Sequence, residues 1–176
     1  MDGILAALLL AQAVVGGADT LFNHEIVARL PQRPEARGEV ALHAVREAIY
    51  ATLFIGLACF AWHGTAAWIV AGLLAAECLV TGTDELVENR IRKLPGNERL
   101  MHVFLTLNLG AIIAVLSPRL AAWSRAPTGW ERVEMGPASW ALVALGLASA
   151  AWSVRDALAT IRLGKAKWTI APGAAP

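Results

Sequence analysis

Five long apolar runs, at about residues 3–23, 40–62, 64–83, 100–117 and 138–154, alternate along the chain with short polar segments. Each approaches or reaches the roughly 17–25 residues that a helix needs to cross the hydrocarbon core of a bilayer. The pattern predicts an all-α integral membrane protein, a single domain over residues 1–176, with helices at about 3–24, 38–62, 64–93, 98–117 and 138–162. Helices 1–4 are expected to form an antiparallel bundle. Pro118 should end the fourth helix, because an internal proline removes a backbone N–H and clashes with the preceding turn. His63-Gly64 should make a tight turn with His63 exposed, and residues 119–137 should form an outer loop along the interface.

Polar residues inside the runs are few and spaced. Helix 1 carries Gln12, Gly16, Asp19 and Asn23 at helical intervals, a narrow stripe expected to face protein and not lipid. His24 and Glu25 flank that stripe on opposite sides, so if the last turn loosens one of them reaches the interior, but not both. Helix 2 opens with His43 and Glu47, four apart on one face. Helix 3 carries Glu77, Asp84 and Glu88 within about 40° of one another on a 3.6-residue period. Glu77 falls inside the hydrocarbon region, where an unpaired carboxylate costs about 2.5–3.5 kcal/mol on insertion scales and therefore calls for a partner or a proton. After the break at Leu94-Pro95-Gly96-Asn97, helix 4 places Glu98 and His102 on one face. Helix 5 has only Ser149 and Ser153 in its interior, and Gly146-Leu147-Ala148-Ser149 suits close helix packing.

Composition changes the solvent. At 57% hydrophobic, 16% charged and a mean hydropathy of +0.54, the chain suits a bilayer better than water. A net charge of +1 gives no sign of a nucleic-acid partner. The distribution of basic residues sets the topology. Arg29, Arg33, Arg37, Arg46, Arg90, Arg92, Lys93, Arg99, Arg155, Arg162, Lys165 and Lys167 fall on one side of five spans. Only Arg119, Arg125 and Arg132 fall on the other. The positive-inside rule then puts the amino terminus outside and the carboxyl terminus in the cytoplasm. Trp62, Trp68, Trp123, Trp130 and Trp140 agree, since all sit near the outer interface, where amphipathic rings prefer to lie. The basic tail with Trp168 suits attachment to an anionic inner leaflet. The first run resembles a signal peptide but lacks a basic start, so it is taken as helix 1. Cys59 and Cys78 lie at different depths and predict packing residues, not a disulfide.

Topology then gathers the chemistry. Back-and-forth crossing brings Asp19, His24, Glu25, His43, Glu47, Asp84, Glu88, Glu98 and His102 to one depth near the inner leaflet. That layer holds three of the four histidines. Carboxylates and imidazoles together are the ligands of non-haem iron and manganese, and helical bundles are where dinuclear carboxylate sites are built. Asp19, His24, His43, Glu47, Glu77, Asp84, Glu88 and His102 are the expected metal ligands or proton carriers, for two iron ions, with manganese or zinc as alternatives. Glu98, Glu85 and Glu25 have the competing role of surface ion pairs with Arg99, Arg90 and Arg29. The expected function is oxidation of a lipid or quinone-like substrate by hydroxylation, desaturation or quinol oxidation. The absence of any Gly-rich dinucleotide motif assigns the reducing equivalents to a separate electron donor. Two other functions fit the same residues: a haem cytochrome with His43 and His102 as axial ligands, or a proton or metal-ion carrier using Glu77, Asp84 and Glu88.

The ligand set is similar in kind to that of diiron-carboxylate oxidases and hydroxylases. Neither Glu-x-x-His nor the His-x-x-x-His boxes of membrane desaturases occurs, so no residue roles transfer from those families. The Asp-Glu, Arg-Lys-Leu-Pro, Glu-Arg and His pattern of residues 84–102, with Asn23-His24-Glu25, resembles a group of short bacterial multi-pass membrane proteins over roughly the first 118 residues. That resemblance implies a bacterial inner-membrane protein.

Overall fold

A computed structural model describes residues 2–170, with side chains described as far as Lys165. Among these residues, five helices are long and apolar enough to cross a membrane. Helix α1 (Gly3–Asp19) is capped by Asp2, whose carboxylate accepts from the Ile4 N–H at 3.0 Å. It runs directly into a π-helical segment, Thr20–Val27. Two short 3₁₀ turns, Leu30–Gln32 and Pro34–Ala36, carry the Pro-punctuated linker into α2 (Arg37–Cys59). Strand β1 (Phe60–His63), α3 (Ala66–Ile91), α4 (Gly96–Trp123), β2 (Gly129–Arg132) and α5 (Pro137–Ile170) complete the chain.

The main apolar core lies between the helices and includes Leu9, Tyr50, Phe54, Leu57, Val70, Leu74, Ile112 and Leu116. The most extensive helix contact joins α2 to α5; α1–α4, α2–α3 and α3–α4 are the next largest among the first four helices. Helix 5 is thus a full partner in the assembly rather than an addition to a four-helix bundle. Its close approach depends on Gly146, where a Cβ would stand 2.6 Å from Ile55 Cγ1 and 3.3 Å from the Ala51 carbonyl. The polar stripe of α1 does face protein. Gln12 donates to the Tyr50 hydroxyl at 2.8 Å and accepts from Asn108 at 2.7 Å.

Three sequence expectations need correction. Helix 4 continues through Pro118 to Trp123. The proline leaves the Ala114 carbonyl without its usual donor, a defect that helices among close neighbours tolerate, and the adjacent Ser117 hydroxyl donates to the Ile113 carbonyl at 2.7 Å. Residues 119–137 do not form a simple loop, because β2 pairs antiparallel with β1, Phe60 opposite Arg132 and Trp62 opposite Trp130. His63 consequently lies in a strand, half-buried beside the Trp123 ring at 6.2 Å. The turn itself falls on Gly64, whose φ of +61° suits glycine and whose Cβ would meet Thr128 at 2.4 Å. The basic tail with Lys167 and Trp168 lies outside the described side chains.

Candidate metal centre

At the end of the helices away from the β1–β2 pair, four segments deliver ionisable side chains to one place. The π-helical segment delivers the first. In an α-helix Asp19 and His24, five residues apart, point in different directions, but π winding repeats near five residues and returns them to one face. His24 Nε2 lies 3.6 Å from Asp19 Oδ2, and Asn23 donates to Asp19 Oδ1 at 2.7 Å. The loosened turn therefore selects His24 for the interior. Glu25 turns toward α5, where it pairs with Arg155.

On α2, Glu39, His43, Arg46 and Tyr50 occupy a stripe about 60° wide at 100° per residue. Glu47 falls about 40° to the other side of His43 on the same winding. Glu39 is fully buried and Glu47 only half-buried. On α3, Glu77, Asp84 and Glu88 share the inward stripe and are all buried. On α4, Glu98 is fully buried and His102 lies one turn on.

Three groups of these residues each offer donor atoms within 4.8 Å of one another: Asp19, His24, Glu98 and His102; His24, Glu39, His43 and Glu88; and Glu85, Glu88 and His102. The groups share His24, Glu88 and His102. His24 stacks on His43 with ring centroids 4.3 Å apart, and its Nε2 is 3.3 Å from Glu98 Oε1. His102 Nε2 is 3.2 Å from Asp19 Oδ2. The two oxygens of Glu88 face different histidines, Oε1 at 4.0 Å from His43 Nε2 and Oε2 at 3.4 Å from His102 Nδ1.

Much of this cluster lacks hydrogen-bond partners. His24 Nδ1 and Nε2, His43 Nε2, Glu39 Oε2, Asp84 Oδ1 and both Glu88 oxygens are buried and make no hydrogen bond, although His24 Nε2, His43 Nε2 and Glu88 Oε1 lie at ion-pair distance from Glu98, Asp84 and Arg92. More than nine-tenths of buried polar groups in native proteins are paired, so seven such atoms in one cluster are exceptional. Their separations have a chemical meaning. Donors about 2.0–2.2 Å from a common cation lie roughly 3.0–3.5 Å from each other, and the pairs here range from 3.2 Å for His102–Asp19 to 4.0 Å for His43–Glu88.

Two arginines frame the cluster. Arg92, just past α3, donates to Glu39 Oε1 at 2.7 Å and to both Glu98 oxygens at 2.5 and 2.8 Å. Burial opposes its charge, but the Glu98 and Glu39 carboxylates hold its pKa above the ordinary arginine value. Arg46 lies 3.3 Å from Glu77 and 2.9 Å from Asp84. It is the partner that Glu77 requires at its depth in the chain, and Thr81 adds a hydrogen bond at 3.1 Å.

Of the expected ligands, Asp19, His24, His43, Glu88 and His102 fall in the donor groups. Asp84 stands beside them, 3.3 Å from His43 Nε2. Glu77 is engaged by Arg46, and Glu47 faces the α2–α5 side, so neither joins a donor group. Glu39, Glu85 and Glu98 belong to the donor groups but were not among the expected ligands. The signal for Glu39 was its four-residue spacing from His43, the same as that of Glu47. Glu98 pairs with Arg92 and not with Arg99, because the Leu94-Pro95 break folds Arg92 back over the start of α4.

Beside the cluster, a cavity of about 320 Å³ extends from Asp19, His24 and His102 toward Phe54 and Leu109. Its walls are mainly apolar, and its volume is in the range of small-molecule sites. No family model, curated protein or solved structure matches this chain.

Proposed function

We propose that this chain is a multi-pass membrane metalloprotein whose inner-leaflet end holds a dinuclear non-haem centre, with two iron ions as the favoured pair and manganese or zinc as alternatives. The observation that carries the proposal is Glu88, buried with neither oxygen hydrogen-bonded, Oε1 lying 3.7 Å from Arg92 and 4.0 Å from His43, and Oε2 3.4 Å from His102 Nδ1. A carboxylate so placed could be shared by two cations. His24, Glu39, His43 and Glu88 would hold one ion, and Glu85, Glu88 and His102 Nδ1 the other. Asp19 and Glu98 belong to the donor group on the other side of His24 and His102, and Glu98 is held by Arg92.

Charge supports the same number of ions. Asp19, Glu39, Glu77, Asp84, Glu88 and Glu98 are buried and face two guanidiniums, Arg46 and Arg92. With neutral imidazoles four negative charges are left, which two divalent cations cancel. When bound, such a pair supplies one-electron and dioxygen chemistry. The chain's own contribution is an apolar chamber that admits a lipid-soluble substrate and excludes bulk water. Reducing equivalents come from a separate partner.

The carrier alternative relies on a relay along α3, but Arg46 sits between Glu77 and Asp84 as a fixed positive charge, which opposes proton hopping there. Elemental analysis of the detergent-purified chain tests the proposal. The expected result is about two transition-metal ions per chain. Less than about one ion removes the metal reading, and a Soret band transfers the site to haem.

A further inference from the structure

The cavity beside the donor cluster has a second polar wall that the metal centre does not use. Glu47 and Trp152 both line it, on the side where α2 meets α5. Glu47 Oε2 and Trp152 Nε1 are each buried and without a hydrogen-bond partner. The helix register puts them at one level. Ser149 Oγ donates to the Glu47 carbonyl at 2.9 Å and Ser153 Oγ to the Ala44 carbonyl at 2.7 Å. Trp152 falls between those serines, alongside the Ala44–Glu47 turn.

The two atoms have complementary needs. An indole N–H only donates, and a carboxyl oxygen accepts. A hydroxyl is the smallest group that meets both demands at once, donating its hydrogen and accepting on its oxygen. Ala13, Phe54, Leu105, Leu109 and Leu145 offer apolar side chains to the rest of a ligand.

We infer that this cavity binds a lipid-soluble alcohol or phenol, whose O–H donates to Glu47 Oε2 and whose oxygen accepts from Trp152 Nε1. This names the substrate class of the proposed metal centre and rests on that reading for its chemistry, though not for its binding. The shared chemistry covers long-chain alcohols and the phenolic hydroxyls of membrane hydroquinones. Its geometry places the hydroxyl on the α2–α5 wall, in the same chamber that His24, His43 and His102 border.

Equilibrium binding to the full chain in detergent tests the inference, with 1-hexadecanol compared against hexadecyl methyl ether and hexadecane, and a prenylated hydroquinone compared against its dimethyl ether. The expected result is that one hydroxyl compound binds at least about tenfold tighter than its ether, the usual scale for a buried polar pairing. Whichever pair shows the larger ratio identifies the source. Glu47→Leu and Trp152→Phe should each bring that ratio to within about twofold while metal content per chain stays unchanged. Equal binding of alcohol, ether and hydrocarbon overturns the inference on the unsubstituted protein, so a variant that fails to fold cannot hide the answer. A preference that survives both substitutions overturns it as well. Metal below one ion per chain with the preference intact removes the metal reading alone.

Discussion

The two ends of α2 and α3 carry polar groups in opposite circumstances. At the end that carries β1 and β2, Asp2 and Arg119 pair at the surface, His63 rests against Trp123, and the β1–β2 ladder pairs the two strands. No described buried side-chain atom there lacks a partner. At the other end, three histidines and five carboxylates crowd together, and His24, His43, Glu39 and Glu88 each have a buried donor atom without a hydrogen bond. The difference teaches which polar residues the fold needs for itself. Groups that complete one another's bonding account for structure, whereas groups held close without completing it mark a candidate site. A low local dielectric makes such unmet groups costly, and a bound cation would offset that cost.

Substitutions of the donor set should break the contrast most strongly. His43→Ala or His24→Ala is expected to lower metal content from about two ions to one or fewer, read by elemental analysis, with affinity for the remaining ion reduced at least about 100-fold, beyond the loss seen for outer-shell partners. Arg92→Gln should follow. It leaves Glu39 and Glu98 buried without their counter-charge and is expected to cost about 3–5 kcal/mol, measured by denaturation of the metal-depleted chain. Bound metal should offset part of that loss. Chelation of the unsubstituted protein should lower stability by about 3–4 kcal/mol if the centre is held at 100–1,000 times its dissociation constant. Arg119→Ala marks the small end of the scale. Its pair with Asp2 is solvent-exposed, so a change of about 0.2–1 kcal/mol and unaltered metal content are expected.

The sequence made much of this contrast legible. Five apolar runs located five helices, and alternating direction across them was enough to collect His24, His43, Asp84, Glu88 and His102 in one layer. What it left open has physical causes. Whether His24 or Glu25 enters the interior depends on π winding at Thr20–Val27, which no residue in that segment specifies. The choice between Glu39 and Glu47, equally spaced from His43, depends on where α5 packs against α2. Arg46 and Arg92 counted as topology signals, yet each turns inward to a carboxylate, because a long side chain near a helix end can reach either way. The β1–β2 pair escaped notice because four-residue strands within a Trp-rich interface have no distinguishing period.

X-ray absorption at the metal edge of the purified chain tests the central claim most directly. The account predicts a first shell of nitrogen and oxygen at about 2.0–2.2 Å and a second metal at roughly 3.5–4 Å, the separation of bridged two-metal sites. A shell containing sulfur, a porphyrin pattern, or a lone ion with no metal neighbour would contradict it.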